Sequence, residues 1–201
     1  MPALDVSICS DALLLLGVGT ISSFADGTDK ATVAGNLYPG IRDALLVGYP
    51  WRFTLRKAQL ARETATPVSE WRHQYAMPAD AIRLRQLFDS PAVGAPPFLE
   101  YELFDGKVLA NASSLWADYQ FRAAEAAFPA YFTLLLKYAL AADFAHSIVE
   151  SEAKAQYWNL KAFGSPGDNG TGGYFATARS LDAQLQPPQA LGDFSLLAAR
   201  Q

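Results

Sequence analysis

The chain holds two histidines, and because imidazole titrates near neutrality they are the first place to look for chemistry. His73 lies in the run Trp71-Arg72-His73-Gln74-Tyr75, and His146 follows Asp143 by three residues in a helical pattern. Three residues is close to one helical turn, so Asp143 can hydrogen-bond His146 along the helix. Neither histidine has Cys, His or carboxylate companions at metal-ligand spacing. Glu100 and Glu102 share one face of a strand, a spacing that suits a solvated edge better than a hydrolytic pair. No G-x-S-x-G elbow and no phosphate-binding loop occurs, and Gly170, Gly172 and Gly173 do not sit between a strand and a helix. The single cysteine, Cys9, cannot form an internal disulfide and reads as a small core residue. The residues therefore predict no catalytic group, no cofactor site and no metal site.

Arg52, Arg56, Lys57, Arg62, Arg72, Arg83 and Arg85 gather positive charge in the middle of the chain. With aromatic residues between them they could grip single-stranded nucleic acid. The formal net charge of −4 argues against a dedicated nucleic-acid binder, which needs a basic face. Arginine is also a common interface residue, and that reading is favoured, with a weak contact to passing DNA left open.

The elements that must position these groups are organised around residues 124–164. Phe128, Phe132, Leu135, Tyr138, Ala142 and Ala145 recur at three- and four-residue steps, and Leu134, Leu136, Leu140 and Phe144 widen that face. The spacing predicts one long helix, or two in series broken near Ser151, with Pro129 in its first turn. Lys137, Asp143 and Glu150 interrupt the apolar run, which never approaches the ~20 uncharged residues of a membrane span. Residues 4–16 read as a first helix with Leu4, Ile8, Ala12 and Leu15 on one face, ended by Gly17 and Gly19. Thr28 is a plausible N-cap for a second helix to about Val47, which Pro39 should kink or divide. Trp51 and Phe53, two residues apart, point the same way from an extended chain. Period-two patterning then predicts strands over 53–60, 71–77, 82–88, 98–104, 107–110 and 115–121, with a hairpin at Asp105-Gly106.

The fold class predicted is α+β: a bundle of about four helices, an inserted antiparallel sheet lobe and an extended C-terminal arm. Residues 1–163 form the main domain, with helices over 4–47 and 124–163 and the β insertion over 52–122. Residues 164–201 follow as a flexible linker, Gly-rich over 164–173, and a docking arm. A helical turn or two could return at 174–185. Leu191, Phe194, Leu196 and Leu197 in the tail either fold back on their own domain or order on a neighbouring chain. At 201 residues the chain can bury a real core, and charged residues make up 18%, below the ~25% usual for soluble domains. Such a charge-poor chain points to surface hidden in an oligomer. The N-terminal apolar patch lacks a basic lead-in and contains Asp5 and Asp11, which argues against a signal peptide. The sequons at Asn111 and Asn169 read as chance matches.

Three stretches together resemble the phage head-to-tail adaptor family, also called tail tubular protein A in short-tailed phages. YPGIRDALLVGYPWRF, residues 38–53, is similar to the family's second-helix signature, in which an Arg-Asp pair leads to Pro-Trp and an aromatic residue. YAMPADAIRLR, residues 75–85, resembles a second match, a Pro-Ala-Asp turn before a strand. FPAYFTLLLKYALAADFAHSIVES, residues 128–151, resembles a third, an aromatic-Pro opening and an Ala-rich helix. The resemblance covers residues 4–163 in order, and its motifs are structural rather than catalytic.

The resemblance implies a non-enzymatic virion protein at the head–tail junction, assembled in the host cytoplasm. It implies a ring of twelve subunits beneath the portal protein, a platform for the tail nozzle or tube protein, genome DNA passing through the channel, and no membrane partner. Arg42, Asp43, Trp51 and Phe53 match the signature and take fold and subunit-interface roles. Leu191, Phe194, Leu196 and Leu197, or the first helices, are expected to meet the portal, and the loops over 65–69 and 90–97 the tail. The chain departs from the family pattern at 164–173, where a more continuous helix is expected. The alternative is a small ligand-binding or enzymatic domain with a pocket between bundle and sheet near Trp51, Trp71 and His73.

Overall fold

The computed structural model describes residues 4–185, and the tail residues Leu191, Phe194, Leu196 and Leu197 lie outside them. The architecture is α+β, as the pattern predicts, with a helical bundle and a β lobe inserted between its second and third helices. Helix α1 spans Leu4–Leu15 and α2 spans Asp29–Gly48. Seven strands follow: β1 Leu55–Gln59, β2 Ala61–Arg62, β3 His73–Ala76, β4 Ala81–Phe88, β5 Tyr101–Phe104, β6 Lys107–Ala110 and β7 Trp116–Phe121. The chain returns to the bundle through α3 Ala130–Ser147, α4 Glu152–Phe163 and α5 Gly173–Ala183.

Helix α3 is the centre, as its composition requires. Phe132, Leu135, Leu136, Ala139, Leu140, Phe144 and Ala145 are all buried in the bundle core. The alanines let neighbouring helices approach closely, and the larger residues fill the space between them. The run breaks near Ser151, one of the two expected outcomes. Ser151 caps α4 by accepting from Lys154 N at 3.4 Å, after Glu150 has turned the chain with φ +52°.

Several expectations need correction. The buried side of α1 is Val6, Ile8, Cys9, Ala12 and Leu13, while Leu4 and Leu15 are exposed. This helix is apolar nearly all round, so periodicity alone could not select its face. Thr28 caps α2 by accepting from Ala31 N at 3.3 Å, and of the two outcomes expected of Pro39, a kink or a division, the helix is not divided. Buried residues before the proline (Ala31, Ala34, Tyr38) and after it (Leu45, Leu46) pack into the same core, which carries the helix across the lost donor. Residues 52–54 form a 3-10 turn where an extended chain was expected.

The lobe is two sheets, where one was expected. β1, β7 and β4 form a three-stranded sheet in that order, and β2, β3, β6 and β5 a four-stranded one. All pairings are antiparallel. Leu60 carries the chain from one sheet to the other and is buried with Tyr75, Leu87, Val108, Leu115 and Tyr119 in a second core. The predicted hairpin joins β5 to β6 with Asp105 at φ +49° and Gly106 at φ +70°, the pair of positive angles that a two-residue turn of this hand requires.

The expected linker at 164–173 is instead a built turn. Asp168 accepts from Ser165 N at 2.7 Å and from its hydroxyl at 2.8 Å, and Gly172 N donates to Phe163 O at 2.9 Å. This folds α5 back so that Phe175, Ala178 and Asp182 are buried. The body therefore extends to α5, beyond the boundary expected at residue 163.

Candidate functional site

The four signature residues form two groups: Arg42 and Asp43 in an ion-pair cluster, Trp51 and Phe53 in an aromatic nest of the bundle core. Arg42 lies on the lobe-facing side of α2, with its side chain only 17% exposed. Its Nε donates to Asp43 Oδ1 and its Nη1 to Glu125 Oε1, both at 2.9 Å. Glu125 follows β7 and also accepts from the Tyr38 hydroxyl at 3.1 Å. Arg122, one residue beyond β7, pairs with Asp43 Oδ2 at 2.8 Å. Two acids and two bases thus clasp the middle of α2 to the exit of the lobe.

The electrostatics follow from this arrangement. Burial raises the pKa of Glu125, but its backbone hydrogen bond, Arg42 and Tyr38 together outweigh that effect and hold the carboxyl below its ordinary value. Burial, reinforced by the Glu125 charge, pushes the Tyr38 hydroxyl well above the usual tyrosine range. Arg42 is held above its ordinary value: burial opposes charge, and the bonds to Asp43 and Glu125 exceed it.

Trp51 is fully buried, and its indole donates to Leu45 O at 2.8 Å. Its ring lies edge-on to Tyr49, Phe132 and Phe175 at centroid distances of 4.9, 5.2 and 5.7 Å. Phe53 reaches the same nest, 5.0 Å from Phe132 and 5.8 Å from Phe128. Both aromatics therefore anchor the turn that sends the chain out of the bundle.

The last carbonyls of α2 have no partner within the helix, as at any helix end. Lobe residues supply it. Gln120 of β7, itself fully buried, donates to Leu46 O at 3.0 Å and to Tyr49 O at 2.8 Å, and Arg83 of β4 donates to Val47 O at 3.2 Å. From the other side, the buried Asp182 of α5 accepts from Arg52 N at 3.1 Å and from the Tyr131 hydroxyl at 2.7 Å. Sequence reading missed Gln120, Glu125 and Asp182. Their only signal is a polar residue at a position whose burial depends on segments far away in the chain.

The groups singled out for chemistry do not all converge on one site. His146 Nδ1 pairs with Glu152 at 3.4 Å, both largely exposed, and Asp143 lines the same cleft of about 500 Å³, its carboxyl raised above its ordinary value by burial against the opposing His146 charge. His73 opens β3 of the four-stranded sheet, and Trp71, two residues before it, donates its indole N–H to Glu102 of β5 at 2.8 Å. Trp51 is in the bundle core, so the pocket expected from Trp51, Trp71 and His73 is not assembled. Cys9 is fully buried, and burial, with the nearby Asp5, pushes its thiol up to about 12. Several arginines of the lobe are engaged within the chain: Arg56 with Asp80 and over the Phe121 ring, and Arg85 with Asp118. Among the described residues there is no group of three potential metal ligands, and no helix is long and apolar enough to cross a membrane.

Apolar surface remains uncovered at several places. Val68 and Val93 are fully exposed in the two loops expected to meet the tail, and Leu99 is 80% exposed beside them in sequence. On α4, Tyr157 and Leu160 are more than half exposed, next to a cleft of about 590 Å³ walled by Leu160, Phe163 and Pro166. No protein-family model matches the sequence, and no curated protein matches it.

Proposed function

We propose that this chain is a non-enzymatic structural virion protein, a head-to-tail adaptor that forms a ring joining the portal to the tail nozzle or tube and lets DNA pass. The observation that carries the reading is the convergence of the three stretches that resemble the adaptor family. Phe53 of the first packs on Phe128 and Phe132 of the third. Arg83 of the second donates to Val47 O of the first. Asp80 of the second accepts from Arg122 N, beside the clasp that holds Arg42 and Asp43. Stretches separated by dozens of residues and similar to one family thus build a single junction, and they do so through packing and capping.

Such a junction suits a part that transmits position. A bundle fixed to a projecting lobe sets the angle between two neighbours, and exposed apolar residues at the loop tips and on α4 offer surface for them. A formal charge of −4 suits a channel through which DNA slides, because strong phosphate neutralisation would hold it.

The test is attachment to portal rings. Removing residues 186–201, or replacing Leu191, Phe194, Leu196 and Leu197 by serine, should abolish co-sedimentation with portal while the far-UV circular dichroism is unchanged. Undiminished co-sedimentation would remove the tail from the portal contact. Failure of the full chain to bind portal rings or enter virions would reject the adaptor reading as a whole.

A further inference from the structure

The lobe leaves the two outer strands of its four-stranded sheet without a neighbour among the described residues: β2 on one side and β5 on the other. An unpaired edge presents a row of N–H and C=O groups that can template another strand. The β5 edge is four residues long and carries Glu102, yet it keeps apolar side chains exposed. Leu103 is 55% and Phe104 65% exposed, and the strand contains neither proline nor lysine.

The two edges also differ in charge. The β2 edge, Ala61–Arg62, carries the exposed Arg62 and no acid, while Arg56 and Lys57 lie on β1 of the other sheet. Residues 99–106, which contain β5, carry Glu100, Glu102 and Asp105 and no base. Pairing β5 with β5 of another copy would set acid against acid, and pairing β2 with β2 would set base against base. A head-to-tail contact, acidic edge to basic edge, brings opposite charges together. Strand direction agrees. Each neighbour in the order β2-β3-β6-β5 is antiparallel, so β2 and β5 run in opposite senses. A second copy placed beside the first in the same orientation therefore continues an antiparallel ladder, the better hydrogen-bonded arrangement.

We propose that copies of this chain associate through their lobes, β5 of one copy adding to the β2 edge of the next. The contact uses different surfaces on its two sides, so it closes into a ring when the rotation per copy allows it. This rests on the ring assembly proposed above and assigns it a specific seam.

The hairpin geometry supplies a selective test. Phe104 and Lys107 flank the two-residue turn and form a hydrogen-bonded pair, so by the alternation of an antiparallel ladder Leu103 directs its N–H to the free edge. Leu103→Pro thus removes an outward donor while sparing the bonds to β6, at a position where an edge strand tolerates proline. Sedimentation velocity on the full chain, alone and with portal rings, should show association weakened at least about tenfold in this variant, with unchanged circular dichroism. Arg62→Glu and Glu100→Lys should each weaken it, and the two together should restore it. A cysteine at position 103 combined with one at 61, 62 or 63 should give an oxidised ladder of covalent oligomers, without interference from the buried Cys9.

Wild-type assembly with Leu103→Pro indistinguishable from it and no covalent ladder would overturn the seam while leaving the ring intact. A wild-type chain that stays monomeric both alone and on portal would overturn the seam and the ring together.

Discussion

Replacing Arg42 by methionine and Glu125 by glutamine, singly and together, measures what the junction clasp contributes. Methionine keeps most of the apolar stem, and glutamine keeps an oxygen that can accept from Tyr38, so the cycle isolates the Arg42–Glu125 interaction. The side chains are 17% and 21% exposed, and the contact is 2.9 Å. Bonds to charged groups contribute about 1.5–3 kcal/mol where water is largely excluded, against about 0.2–1 kcal/mol for exposed ion pairs. Because part of each side chain still meets solvent, a coupling of about 1–2 kcal/mol is expected, less than the lower-dielectric limit. The Lys107–Glu63 pair provides an internal control: its contact is similarly short at 2.8 Å, but its side chains are 34% and 31% exposed. Its coupling should be the smaller of the two.

The assay is urea unfolding of the four proteins in each cycle. For a chain of this size each kcal/mol lost also lowers Tm by about 2–4 °C, which gives a second readout. Equal couplings for the two pairs, or a value for Arg42–Glu125 below about 0.3 kcal/mol, would refute the argument that burial at the junction sets the strength. Unchanged stability with lost self-association in Arg42→Met would instead move Arg42 from the fold to the contact between subunits.

The clasp also predicts acid sensitivity. The Glu125 carboxyl is held below its ordinary value, so its contribution is complete above the unfolded glutamate pKa of about 4.3 and is lost as pH falls through the lower folded value; Glu125→Gln should flatten that part of the stability–pH curve. Gly164 has φ +82°, and a Cβ there would stand 2.8 Å from Gly173 N and 2.9 Å from Gly172 Cα, so Gly164→Ala should destabilise by about 3 kcal/mol in urea titration and loosen α5 first in hydrogen exchange. Glu150 holds φ +52° without being glycine, and Glu150→Gly should raise stability by about 0.5–1 kcal/mol, a gain in Tm where most loop substitutions give none. Cys9 should react with a thiol reagent only as fast as the native bundle opens, because it is fully buried and its thiol stays protonated.

What the sequence revealed depended on how local the deciding interaction is. The Thr28 cap, the break before α4 at Ser151 and the Asp105-Gly106 hairpin are set within a few residues, and each is found where the pattern places it. Helix α3 was legible because its apolar run is long and flanked by charge. The face of α1 was not, because a helix with leucines on several sides has its orientation decided by its neighbours. The 164–173 segment misled for a related reason. Glycines that would make a free linker flexible are here required by tight approaches: a Cβ on Gly172 would stand 2.7 Å from Asp168 Cβ, and one on Gly173 2.6 Å from Gly164 N, partners visible only once the turn has formed. The Arg42-Asp43 pair was noticed, but its partners Glu125 and Arg122 lie some eighty residues away, and nothing in a periodicity reading connects them.

The end of α2 shows how the junction between bundle and lobe is held. Four backbone carbonyls there, those of Leu45, Leu46, Val47 and Tyr49, receive donors from Trp51, Gln120 and Arg83. Two of those three donors belong to the lobe, so the lobe is the helix cap. Swinging it away would leave carbonyls at the negative end of a helix without protein donors and would strand the buried Gln120 amide, a cost of about 1–3 kcal/mol for each buried group left unpaired. On the opposite side, Asp182 fixes the same turn to α5 and α3. The lobe, the end of α2, α5 and α3 are thus tied by one connected set of hydrogen bonds, in which only Gln120 Oε1 is left without a partner.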